Sequence, residues 1–306
     1  MIARFLNHAK QLLSLPMNIY HSLEQIRLSL GRIEVERFSI FDTTHLNECE
    51  FKVFSQNGED GIIQFLIRKV LIHNKIFIEF GVQNYTEANS RFLLQNDSWS
   101  GLVIDGSRKN INYIKNDPIY WRHNLKAECA FIDCDNINEI IKNNGISCEI
   151  GLLSVDIDGN DYWVWEAIDC VTPCIVMCEY NSIFGPSAKV TVPYDKKFFR
   201  TNAHYSNLFY GASISALTSL AEKKGYSLVG SNQAGNNAFF VRNDLVGELT
   251  TYKPEEVYVK AQFRESRDAH GNLTFLDFDQ RLELIKDLMV YDLDAGKEVK
   301  IKDLNI

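Results

Sequence analysis

The stretch "SVDIDGNDYWVW" sets Asp156, Asp158 and Asp161 close together at the end of an apolar run. Carboxylates this near one another repel and lose solvation, so they need a cation or hydrogen-bond donors. A second apolar run ends in "MCEYN" and offers Glu179 and Asn181. Oxygen ligands from two neighbouring strand ends, Asp156, Glu179 and Asn181, suit a hard divalent ion such as Mg2+. The same acids also suit proton abstraction, with Asp156 or Asp158 as general base toward a substrate hydroxyl. His204, in "TNAHYSNLFYGAS", is a further candidate base, since imidazole titrates at about 6.5. Tyr205 and Tyr210 beside it are candidate substrate contacts.

Three more strand-like runs end in residues with chemistry. "IFIEFG" closes on Glu79 and Gly81, where a glycine admits a ligand close to the backbone and the acid can meet an ammonium group. "GLVIDGS" closes on Asp105 and Ser107; an acid there is placed to accept the two hydroxyls of a ribose. "AECAFIDC" carries Asp133, in reach of an adenine amino group or, with Asp135 and Asn136, the cap of the next helix. In "SQNGEDGII", Ser55 reads as a helix cap and Gln56 as a cofactor contact. Lys196, Lys197 and Arg200, with Arg264 and Arg267 further on, read either as solvated charge or as a site for an anionic group on a substrate.

These residues need a frame. Between about 55 and 245, short apolar runs at 75–81, 100–106, 127–134, 150–158, 174–180, 226–231 and 236–242 alternate with helical stretches. Strands that alternate with helices predict an α/β fold with a doubly wound, mostly parallel sheet. Only a short Gln-Ala-Gly turn separates the last two strands, so they form an antiparallel hairpin. That combination is the arrangement of class I, Rossmann-like methyltransferases, whose donor is S-adenosylmethionine. The domain itself is expected over 51–245. A helical arm over 1–50 precedes it, and an extension over 246–306 packs on it. In the arm, Ile19, Leu23, Ile26, Leu30 and Ile33 follow a 4-3-4-3 spacing. This seam needs cover from the chain's own body, a second copy (a homodimer), or a membrane surface met peripherally.

Composition narrows the partners. The chain has 306 residues and a net charge of −8, which argues against nucleic acid. Seven cysteines, an odd number, sit largely in apolar runs and read as reduced core thiols of a cytoplasmic protein. The triplet Cys170, Cys174, Cys178 fits no metal spacing, and Pro173 interrupts it. Neither a secretory signal nor a transmembrane run is expected.

Together, "SQNGEDGII", "FIEFGVQNYTEANSRFLL", "GLVIDGS", "LLSVDIDGNDYWVW", "EYN" and the block from "YGASISAL" to "NNAFFVR" resemble bacterial FkbM-like methyltransferases of surface-polysaccharide and sugar-modification clusters. The resemblance spans about residues 50–245. It implies S-adenosylmethionine-dependent O-methylation of a carbohydrate or related small metabolite. It also implies that Glu79, Gly81, Asp105 and Asp133 hold the cofactor, with Asp156 and Asp158 facing the reaction centre. The family pattern there is D-x-E-G, and Asp158 is shorter by one methylene. Two other readings stand beside it. An NAD-dependent oxidoreductase or epimerase is opposed by the missing G-x-G-x-x-G. An inactive scaffold of the same fold is opposed by the cost of the crowded acids.

Overall fold

The computed structural model describes residues 2–37, 45–261, 265–304 and 306, and among side chains before His21 only that of Ile19. Arg264 lies outside the described residues. Helix α1 (Ile2–Arg37) comes first. The body runs α2 (Glu59–Lys69), β1 (Ile76–Phe80), α3 (Arg91–Asn96), β2 (Ser100–Asp105), α4 (Arg108–Asn116), α5 (Pro118–Arg122), β3 (Leu125–Cys129), α6 (Ile137–Asn143), β4 (Glu149–Val155), α7 (Asp161–Ala167) and β5 (Thr172–Glu179). It continues with β6 (Val190–Thr191), α8 (Arg200–Ala203), α9 (Ile214–Lys224), β7 (Tyr226–Ser231) and β8 (Asn237–Arg242). The extension holds α10 (Pro254–Val257), α11 (Phe278–Ile285), β9 (Met289–Asp292) and β10 (Lys297–Lys300).

The main sheet has seven strands in the order β3-β2-β1-β4-β5-β8-β7. Its first five strands are parallel, while β8 runs antiparallel to both β5 and β7. The expected α/β class and hairpin are therefore present. Strands β4 and β5 are apolar almost throughout because helices cover both faces of the sheet. Ile62, Leu66, Leu94 and Ile111 pack on one face; Ile137, Ile141, Trp165 and Leu217 pack on the other. The hairpin turn is folded by Asn232, whose Oδ1 accepts the amides of Gly235, Asn236 and Asn237 at 3.1 Å each. Its Nδ2 donates to Glu59 Oε1 at 2.8 Å, which ties the turn to the start of α2.

Several expectations shift. Strand β3 ends at Cys129, five residues before the end of the apolar run that suggested it. Cys174 and Cys178 are buried within β5, and all seven cysteines are free thiols. The extension forms a second sheet, β10-β9-β6, that no periodicity announced. It shares a core with the body, where Ile285, Val290 and Ile301 meet Ile183, Phe184 and Leu208. Helix α1 docks on the body by a different face from the expected seam. Leu28 and Val35 are buried against Val53, Phe54 and Phe92, and Glu24 Oε1 accepts from the buried Arg91 Nη2 at 2.6 Å. The seam residues point away. Among the described residues, no helix is long and apolar enough to cross a membrane.

Candidate functional site

The strand order reverses between β1 and β4, because β1 continues to β2 while β4 continues to β5. In such sheets ligands bind at the carboxyl ends of the strands beside that reversal. Gly81 sits there with φ +69°, and a Cβ on it would lie 1.9 Å from the carbonyl oxygen of Asp156. The single glycine is thus required by the close approach of two strand ends. Its amide donates to Ile104 O at 3.0 Å, which closes the floor toward β2.

Two cavities meet at this floor. The first, about 460 Å3, is lined by Gly81, Gln83, Ile104, Asp105, Ser107, Asn110, Phe131, Ile132, Asp156, Asp158, Phe198 and Arg200, among others. The second, about 390 Å3, is lined by Gln56, Glu59, Glu79, Gly81, Gln83, Asn84, Asn89, Asp156, Asn236 and Asn237, among others. Gly81, Gln83 and Asp156 belong to both. The first joins apolar walls to a carboxylate; the second is almost wholly polar.

Asp105 is fixed by three donors. Its Oδ1 accepts from Ser107 N at 2.7 Å and Asn110 Nδ2 at 3.1 Å, and its Oδ2 accepts from Gln83 N at 2.8 Å. Ser107 also caps α4, accepting the amide of Asn110. Glu79 lines the second cavity, yet Oε1 accepts Asn89 N at 2.8 Å and Oε2 accepts Ser90 N at 2.9 Å together with the Ser90 hydroxyl. The first job of Glu79 is therefore to hold the loop ahead of α3. Gln56 lines the second cavity. Ser55 accepts the amide of Asp60 at 3.0 Å, while Asp60 Oδ2 gathers the amides of Val53, Phe54 and Ser55.

The acids after β4 and β5 divide into two kinds. Asp161 is a staple: Oδ1 accepts Ile157 N at 2.7 Å and Oδ2 accepts Gly159 N at 2.8 Å. Burial still pushes its carboxyl up to about 6. Asp156, Asp158 and Glu179 instead converge, each offering an oxygen within 4.8 Å of the others. Burial raises Asp156 and Glu179 well above the ordinary carboxylate range, and the neighbouring carboxylates raise them further. Glu179 is only 8 % exposed, and its Oε2 is buried with no hydrogen-bond partner. A buried orphan carboxylate oxygen is costly unless something else meets it. Among the described residues the cation that meets this group is Arg200, which ion-pairs with Asp158 and lies 3.7 Å from the centroid of the Tyr210 ring. The Tyr210 phenol is raised by burial first and next by Glu179, with Asp158 and Asp156 adding to it.

Four expected site residues are placed elsewhere. Asp133 lies beyond the end of β3; its Oδ1 accepts the amides of Asp135 and Asn136 at 2.9 Å, and Lys196 Nζ lies 3.1 Å from Oδ2. It holds the start of α6 and lines neither cavity. Asn181 is used as a cap and a tie: Oδ1 accepts Ile183 N at 3.1 Å and Nδ2 donates to Leu208 O and Tyr210 O at 3.0 Å each; the acid that converges with Asp156 and Glu179 is Asp158. His204 lines neither cavity, and its Nδ1 is 2.7 Å from Ser206 Oγ. Tyr205 stacks on that imidazole and is largely exposed. Lys196 and Arg267 each face an acid, Asp135 at 3.1 Å and Glu265 at 3.3 Å, and they build no shared anion site. Phe131, Phe198 and Asn110 were missed; Phe131 lay inside the apolar run read as strand, and its exposure past the end of β3 is visible only in the structure.

The seven-stranded order, with its antiparallel strand between β5 and β7, is that of the class I methyltransferase fold. No family model matches the sequence, and no curated protein matches it. Among solved structures, it resembles an S-adenosylmethionine-dependent methyltransferase from Clostridium acetobutylicum ATCC 824 at 8% identity and TM-score 0.38, over 60% of this chain and 90% of that one. An O-methyltransferase family protein from Burkholderia thailandensis matches at 10% identity and TM-score 0.35, over 60% of this chain and 58% of that one. MccD protein matches at 11% identity and TM-score 0.31, over 55% and 71%. Superpositions this loose add nothing to the strand order itself.

Proposed function

We propose that this chain is an S-adenosylmethionine-dependent O-methyltransferase acting on a carbohydrate or related small polar metabolite, the role of the FkbM-like proteins it resembles. One observation carries the reading: Asp105, held rigid by three donors, shares a cavity with Gly81 and Asp156 at the point where the strand order reverses. In this reading Asp105 receives the ribose hydroxyls, and Ile104, Phe131 and Ile132 form the apolar slot for adenine. Gln56, Asn84 and Asn89 offer amides to the methionine end. Asn236 and Asn237, across the same cavity, suit an acceptor rich in hydroxyls.

The bound donor would supply an electrophilic methyl group. The chain's own part is to align the acceptor and remove its proton. Asp156, which lines both cavities, suits that task with Glu179 behind it, because two crowded carboxyls hold one proton readily and a second negative charge poorly. The hydroxyl proton passes to this pair as the acceptor oxygen takes the methyl group. Arg200, anchored on Tyr210 and Asp158, keeps the third acid occupied.

A divalent cation held by Asp156, Asp158 and Glu179 is the second reading, favoured by their convergence and by the orphan oxygen of Glu179. It requires Arg200 to release Asp158. The NAD reading fares worse. A pyrophosphate needs a helix N-terminus next to the glycine turn, and here α3 starts only at Arg91, well past the end of β1 at Phe80.

Calorimetric titration of the purified chain with S-adenosylmethionine, S-adenosylhomocysteine and NAD, each with and without Mg2+, separates these readings. Binding of the first two and not of NAD is expected. Absence of binding by both methyl-donor compounds would overturn the proposal, and an affinity indifferent to Mg2+ in the ternary complex with acceptor would overturn the metal reading.

A further inference from the structure

Helix α1 shows two faces of different fate. One clamps the body: Leu28 and Val35 are buried, Glu24 meets the buried Arg91, and Arg32 Nε donates to Asn96 Oδ1 at 3.0 Å. Gly31 lies so close to the body that a Cβ there would meet Val53 at 2.6 Å. The other face carries Ile19, Leu23, Ile26, Leu30 and Ile33, which are 53 to 59% exposed. Five large aliphatic side chains in one unbroken row are not ordinary surface.

The row keeps strict heptad spacing, with Ile at 19, 26 and 33 in one core position and Leu at 23 and 30 in the other. The same register continues upstream in sequence through Leu12, Ala9 and Phe5, broken only at Pro16. A membrane surface asks for no such period and favours basic flanks. Here the residues flanking the row are Ser22, Gln25, Ser29, Arg27 and Glu34, a near-neutral set. The period asks for a helix of the same repeat, and this chain supplies one in every copy.

We infer that α1 pairs through this row with the same helix of a second copy of the chain, in parallel orientation. Sealing five half-exposed aliphatics on each copy removes roughly 1,000 Å2, the lower bound for a specific interface, before the upstream register is counted. Charge decides the direction. In a parallel pair the flanking position of Arg27 faces Ser22 of the partner subunit, and Glu34 faces Ser29 of the partner subunit, with no repulsion. An antiparallel pair that sets Leu23 against Ile33 and Ile26 against Leu30 brings the two Arg27 side chains together.

The test uses the full chain and does not depend on any catalytic activity. Sedimentation equilibrium over micromolar concentrations is expected to give at least twice the chain mass of 35.1 kDa. The double variant Leu23→Asp/Leu30→Asp, confined to exposed positions, is expected to return to the single-chain mass with an unchanged circular dichroism spectrum. Ser29→Lys sets a cation toward Glu34 in a parallel pair and is expected to tighten association about two- to fivefold; in an antiparallel pair it would weaken it. A wild-type chain of single mass throughout, or an assembly that survives the double variant, overturns the inference. Weakening by Ser29→Lys overturns its orientation.

Discussion

Glu179→Gln is expected to make the folded chain more stable, and only above the ordinary carboxylate range of pH. Glu179 is buried and Asp156 half-buried, with oxygens within 4.8 Å of each other, and Asp158 completes the group. Two unit charges at that distance repel by about 3 kcal/mol at an effective dielectric constant near 20. Arg200 lowers both carboxyls and offsets part of this, so a gain of about 1–3 kcal/mol is expected when Gln replaces Glu. A carboxyl raised on folding binds its proton more tightly in the folded chain. The folded state is therefore favoured as pH falls and loses stability as pH rises through the folded value. Wild type should weaken progressively from mildly acidic to alkaline pH, and the variant should weaken less. At about 2–4 °C per kcal/mol for chains of this size, thermal melting in a chelating buffer should show the variant several degrees above wild type at pH 8. The difference should shrink on acidification. A variant that is destabilised by the same amount at every pH would refute the reasoning, since it would mean that Glu179 already has a favourable partner. The same variant should lose methyl transfer if the pair accepts the acceptor's proton.

Asp105→Ala should weaken binding of S-adenosylmethionine by about 1.5–3 kcal/mol, the worth of hydrogen bonds to a charged group; calorimetry reads it, and an unchanged affinity removes Asp105 from the ribose role. Gly81→Ala should cost more than the usual 1 kcal/mol or so of a left-handed glycine site, because the new Cβ would meet the Asp156 carbonyl at 1.9 Å. Denaturant unfolding against Gly225→Ala, which has the same backbone sign and nothing within 4 Å, isolates the steric part.

Seven strands and the antiparallel hairpin were legible because each is a continuous or alternating apolar run bounded by turn residues, and the helices on both faces impose that pattern locally. Asp105 and Asp156 were legible for the same reason, since each lies at or next to the end of its strand, where the fold brings strand ends together. Asp133 was misplaced because the run "AECAFIDC" is apolar past the point where β3 stops pairing; only the partner strand β2, ending at Asp105, decides that stop. Asn181 looked like a ligand, but its Nδ2 is taken by the carbonyls of Leu208 and Tyr210 and its Oδ1 accepts the amide of Ile183. Arg200 met Asp158 across 42 residues of chain, a contact that no local spacing announces. The heptad row of α1 was visible as a row, but not as the outward one: the charge pair of Glu24 with Arg91 and the close approach at Gly31 chose the opposite face for the body. Periodicity and strand-end chemistry are properties of neighbours in the chain, so the seven-stranded sheet and the floor of the cleft could be read from the sequence, while the small sheet of β6, β9 and β10 could not. Which carboxylates are spent on backbone amides and which remain unmet depends on residues far apart in sequence, and the tertiary structure alone decided it.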